Sequence, residues 1–109
     1  MSKAAKLQKY PQLDPVKLDS KHYKVEFEND RVRVLRVNYG AGEKSVMHSH
    51  PDGIGIFLTP QQCRFAFTTG KTTEDHFTAG QVKWLPEATH LPENLGDQPF
   101  EVILVELKA

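Results

Sequence analysis

The feature that most narrows the fold is a rhythm of short apolar or alternating runs, cut by turn chemistry about every 8–12 residues. Residues 24–28 alternate, and Asn29 and Asp30 then make a turn. Residues 31–39 are strongly β-branched until Gly40, Ala41 and Gly42 break the run. Residues 45–50 form a short run closed by Pro51, Asp52 and Gly53. Residues 54–58 are apolar, residues 64–68 alternate, and Thr69, Gly70 and Lys71 give a hairpin signal. Residues 72–77, 82–85 and 100–107 complete the set, and no helical period occurs after residue 20. Such a layout predicts an all-β chain of about eight or nine strands, an antiparallel sandwich or barrel. The apolar parity of residues 31–39 switches from Val32 and Val34 to Leu35, Val37 and Tyr39, which predicts a β-bulge in that strand. Residues 102–107 are apolar on both faces except at Glu106, as expected of a covered central strand.

The 109 residues fit one domain. With 14 Lys+Arg against 14 Asp+Glu, the chain lacks the basic surplus that backbone-phosphate binding requires, so nucleic acid is not an expected partner. The balance is uneven, because residues 1–24 hold six lysines and two acids. Residues 1–20, with Pro11 and Pro15 and no sustained period, read as a basic arm, irregular or draped over the domain or a partner subunit. The domain proper is expected over residues 21–109. No apolar run approaches the ~18 residues of a membrane span. The lysines near Met1 have no apolar segment behind them, so no secretory signal is expected. The single cysteine, Cys63, excludes an internal disulfide and a Cys-rich zinc module. Together these features predict a cytoplasmic protein.

Two of the five histidines, His48 and His50, lie in one short run. Strand side chains at i and i+2 share a face, so this pair can offer two nitrogen ligands to one ion. His90 follows a strand end and a tight turn, and it reaches the pair if that strand folds back across the barrel. Gly42, five residues and then His48-Ser49-His50 resembles the first half of the cupin first motif. Gly80, five residues, Pro86, and then His90 with Asn94 resembles the cupin second motif. The resemblance spans roughly residues 25–107 and implies a double-stranded β-helix, or jelly-roll barrel. The second motif is one residue short between Pro86 and His90, with Ala88 where glycine is usual. The family's carboxylate ligand would fall at Ile54 or Gly55, neither of which can ligate. The resemblance therefore implies a metal site of three histidines: His48, His50 and His90.

Imidazole suits Fe(II), which cupins of this kind favour, and also Zn, Ni, Cu and Mn. The family includes dioxygenases that lack the glutamate, which implies a metal-dependent oxidoreductase acting on a small anionic metabolite beside dioxygen. Two other classes stay open: a non-catalytic metal or metabolite-binding cupin, associated with amino-acid or amine catabolism, and a metal-free isomerase or lyase. Asp52 could add a fourth ligand. Cys63 and Phe65 share a strand face with Phe67, and Arg64 lies on the other, so either a thiol with aromatics or a carboxylate anchor faces the pocket. Phe57 and Trp84 read as core residues, His76 as a surface residue, and Gln61 and Gln62 as turn residues. His22 has no evident partner. Small cupins commonly pair, so a homodimer is expected.

Overall fold

The structure, a computed structural model, describes residues 11–108. Residues 1–10 of the expected arm lie outside the described residues. Nine strands follow a short helical start: β1 (Tyr23–Glu28), β2 (Val32–Tyr39), β3 (His48–His50), β4 (Gly53–Phe57), β5 (Gln61–Phe67), β6 (Thr72–Phe77), β7 (Val82–Leu85), β8 (Ala88–Asn94) and β9 (Phe100–Leu107). They form two antiparallel sheets, in the orders β1-β2-β9-β4-β7 and β3-β8-β5-β6. After β2 the chain crosses to the other sheet at every connection except β5–β6, which winds the sheets into a double-stranded β-helix. Leu35, Tyr39, Phe57, Cys63 and Phe100 pack between the sheets as a buried core.

β9 is central, as its two-sided apolar pattern predicts, and pairs with both β2 and β4. Gly53 permits that second pairing. A Cβ there would stand 2.4 Å from the Val105 carbonyl oxygen. The bulge lies in β1 rather than β2: the β1–β2 register slips between Val25 and Phe27, while β2 pairs with β9 without a break. The inward face of β2 begins at Arg33, which is buried with Leu35, Val37 and Tyr39. A charged residue on the core face makes the parity look switched.

Residues 88–94, where the sequence suggests a strand end and turn, form the strand β8. Pro92 disguises it, because proline lacks a ladder donor. In an antiparallel strand the N–H and C=O of one residue point to the same side, and the Pro92 carbonyl accepts from Ser45 N at 3.0 Å. The missing donor therefore faces the segment before β3, where the short β3 ladder has already ended. Gln61 also departs from its turn reading, since β5 begins there and the residue is buried.

Within the stretch expected to be an arm, Asp14 caps a single helical turn, α1 (Pro15–Leu18), by accepting from Val16 N at 3.0 Å. Pro15 sits just inside that turn, where proline fits best. Pro15 is buried and Val16 packs on the core, so residues 14–18 lie against the domain. On the outer face of the five-stranded sheet, an apolar row crosses every strand: Phe27, Val34, Val105, Ile54 and Trp84. Trp84 stands 52% exposed on the edge strand β7 instead of in the core.

Candidate metal centre

β3 has only three residues, and its alternation sets His48 and His50 on one face. The antiparallel β3–β8 register places His90 directly opposite His48. The three rings converge, with centroids 4.8 Å (His48–His50), 5.2 Å (His48–His90) and 5.3 Å (His50–His90) apart. One nitrogen from each lies within 4.8 Å of the others. Sequence spacing and strand periodicity thus bring together all three histidines expected at the site.

Hydrogen bonds fix which nitrogens face inward. His48 Nδ1 lies 2.8 Å from the Val46 carbonyl oxygen and 3.2 Å from Ser45 Oγ. A carbonyl only accepts, so Nδ1 carries the proton and Nε2 bears the lone pair. That Nε2 is buried and has no hydrogen-bond partner. His50 Nδ1 donates to Glu106 Oε2 at 2.7 Å, which leaves its Nε2 free as well. His90 stacks on Phe65, with centroids 4.9 Å apart. Burial, followed by the charge of His50, lowers His48 to about 3. Burial, followed by His50 and His48, holds His90 well below an ordinary imidazole. His48 and His90 are therefore neutral donors at neutral pH, the form that binds a metal. An orphaned buried nitrogen beside two more lone pairs fits a divalent cation and is costly without one.

Behind His50 stands Glu106, a residue that no motif marks. It is only 2% exposed, although it is charged. It accepts from Arg33 Nε at 2.9 Å, and Arg33 in turn donates from both terminal nitrogens to Asp14 at 3.0 Å. Its position as the one acid among the apolar residues 102–107 is the visible signal. A carboxylate held behind a ligating imidazole orients the ring and raises its basicity. His22 also has partners: it is stacked on Tyr39 at 4.2 Å, with Asp19 on Nδ1 and Glu43 on Nε2. The position of the family's carboxylate ligand falls on β4, where the buried Gly55 and the half-buried Ile54 offer no donor.

His50 and His90 line a cavity of about 320 Å³. Phe57, Cys63, Phe65, Phe67 and Tyr23 contribute to its lining, while the Trp84 side chain stands on the outer face of its sheet. The cysteine face of β5 is therefore the inward one. Burial pushes the Cys63 thiol up to about 12, so it is a packed, protonated group and not a thiolate. Arg64 points away from the cavity and pairs with Glu74 and Glu93, so the carboxylate-anchor alternative fails. Asp52 is absent from the lining and accepts from Glu87 N at 2.7 Å, an exposed turn contact and not a fourth ligand. His76 is exposed on β6, as expected. The exposed lining residues Thr73 and Lys83 sit on the edge strands β6 and β7, which places the mouth between those edges.

No family model matches the sequence, and no curated protein does. Solved structures match most of its length. A cupin domain of Bordetella pertussis Tohama I is 25% identical, with a TM-score of 0.74 over 80% of this chain and 92% of that one. An RmlC-like cupin from Methanocaldococcus jannaschii is 15% identical, with a TM-score of 0.59 over 82% and 83%. A mutant of Bacillus subtilis oxalate decarboxylase OxdC is 19% identical, with a TM-score of 0.53 over 70% of this chain and 21% of that one. The two antiparallel sheets form the same double-stranded β-helix as these cupin structures. By its fold, this chain is a small cupin domain.

Proposed function

We propose that the protein is a metal-dependent enzyme of the dioxygenase type, with a divalent ion held by His48, His50 and His90. The observation that carries this reading is the convergence of three imidazole nitrogens, one buried and unpartnered, beside an aromatic cavity. Fe(II) or a related ion would supply Lewis acidity and open positions for a chelating substrate and dioxygen. The chain's own part is positional. Glu106 holds the His50 ring, Phe65 holds the His90 ring, and the aromatic walls exclude water. Three neutral ligands leave the ion's charge available to an anionic chelating group. Besides Glu106, which is committed to His50 and Arg33, the charged Asp/Glu/Lys/Arg side chains in the described lining are Asp75 and Lys83, near the mouth. A second buried anion on the substrate would go unpaired. The substrate is therefore a small metabolite, anionic at its chelating end and apolar in body.

The second reading is a non-catalytic cupin that binds a metal or metabolite. It is favoured by the lack, among the described lining residues near the histidines, of a carboxylate free to act as a base. Metal analysis of protein purified without a nickel column, followed by oxygen-consumption assays with thiol, diketone and amine candidates, tests both. Bound metal with oxygen uptake supports the enzyme. Tight ligand binding with no uptake supports the second reading. We also propose that two copies pair across the apolar row on the outer sheet. Arg36, paired with Glu26 and Glu101, puts both signs of charge beside that row, which suits two copies meeting face to face.

A further inference from the structure

We infer that residues 14–19 are part of the metal centre, with two carboxylates that position two of its ligands. This rests on the three-histidine reading of the site. Asp14 acts through the bidentate Arg33 guanidinium and Glu106 onto His50 Nδ1, in contacts of 3.0, 2.9 and 2.7 Å. Asp19 acts through Ser45. The Ser45 hydroxyl donates to Asp19 Oδ2 at 2.5 Å, so its oxygen is left to share the His48 Nδ1 proton, at 3.2 Å, with the Val46 carbonyl at 2.8 Å. A hydroxyl has one proton, and the carboxylate fixes where it points.

The first chain is also a matter of charge. Arg33 and Glu106 alone would be a neutral buried pair, and the guanidinium would draw the Glu106 carboxylate away from His50. Arg33 is shared: both terminal nitrogens donate to Asp14, while Nε and Nη2 face only Glu106 Oε1. Glu106 Oε2, which faces His50, therefore keeps its negative character. The buried triad then carries net negative charge toward the ion. Both carboxylates come from a stretch that precedes β1 and is set by the cap of one helical turn, so the segment and the ion bind the domain cooperatively.

The test combines Asp14→Asn, Glu106→Gln and Asp19→Asn in the full chain, with Co(II) as the probe. The expected result is that Asp14→Asn weakens Co(II) binding about tenfold, as loss of an outer partner of a ligand does. In the Glu106→Gln background the same change should cost less than about twofold, because its route to His50 is already broken. Asp14→Asn and Asp19→Asn should multiply, since they act on different histidines. Equal losses with and without Glu106, or no loss at all, would overturn the inference. A segment that is only structural would lower the melting temperature and leave Co(II) affinity unchanged. Imidazole 15N shifts of the metal-free protein test the same positioning without the ion. Wild type should hold His50 as the Nδ1–H form, and Asp14→Asn should mix its tautomers while leaving His48 unchanged. An unaltered His50 spectrum overturns the proposal. Wild type that binds no Co(II) overturns the metal reading instead, and the tautomer result still stands.

Discussion

The neutral state of His48 and His90 has a consequence for stability in the metal-free protein. Their folded values lie below the ordinary imidazole value of 6.5, with His48 at about 3. Between those limits the unfolded chain binds more protons than the folded one, so stability is full above about pH 6.5 and is lost as pH falls. The urea midpoint of metal-free protein should therefore drop steadily between about pH 6.5 and 4.5, above the range in which carboxylates such as Asp14 titrate. His48→Gln should flatten that drop, and a flat wild-type profile would count against neutral buried histidines. Cys63 gives a second residue-level outcome. Its buried, protonated thiol should resist iodoacetamide at neutral pH until the protein unfolds, and rapid labelling of the folded protein would contradict that burial.

At the scale of elements, the strands that sequence reveals are those whose side chains alternate freely or run apolar on both faces, such as β2, β4 and β9. The His48–His50 pair is legible because a strand's two-residue period needs no tertiary information. β8 is hidden by Pro92, whose missing donor is harmless only because its partner strand has already ended. The inward Arg33 is hidden for a different reason. Charge on a core face makes sense only once Asp14 and Glu106, from distant parts of the chain, are seen beside it. The same dependence on partners explains why His22 gives no local signal of its role, and why Glu106 shows only as an acid within an apolar run. Gly53 tests the central pairing directly. Gly53→Ala would drive a Cβ into the Val105 carbonyl oxygen and should destabilise the fold by about 2 kcal/mol or more in urea unfolding. Unchanged stability would mean that β4 and β9 can separate without cost.

For the whole molecule, the two sheets do different work. The inner faces enclose the cavity and the histidines, while the outer face of the larger sheet leaves Phe27 and Trp84 each about half exposed. Pairing across that face predicts a dimer in sedimentation equilibrium, and Trp84→Glu should shift it to monomer with Co(II) binding intact. A wild-type monomer at micromolar concentration would remove the proposed pairing and leave the site untouched. The central claim is that three histidines from two strands hold one divalent ion. Equilibrium dialysis of metal-stripped protein against Fe(II) or Zn(II), with the bound ion counted by elemental analysis, tests it most directly. One ion per chain for wild type, and loss of binding in His48→Ala, His50→Ala and His90→Ala alike, is the expected result. A wild-type chain that retains no ion, or a count unchanged by all three substitutions, would contradict it.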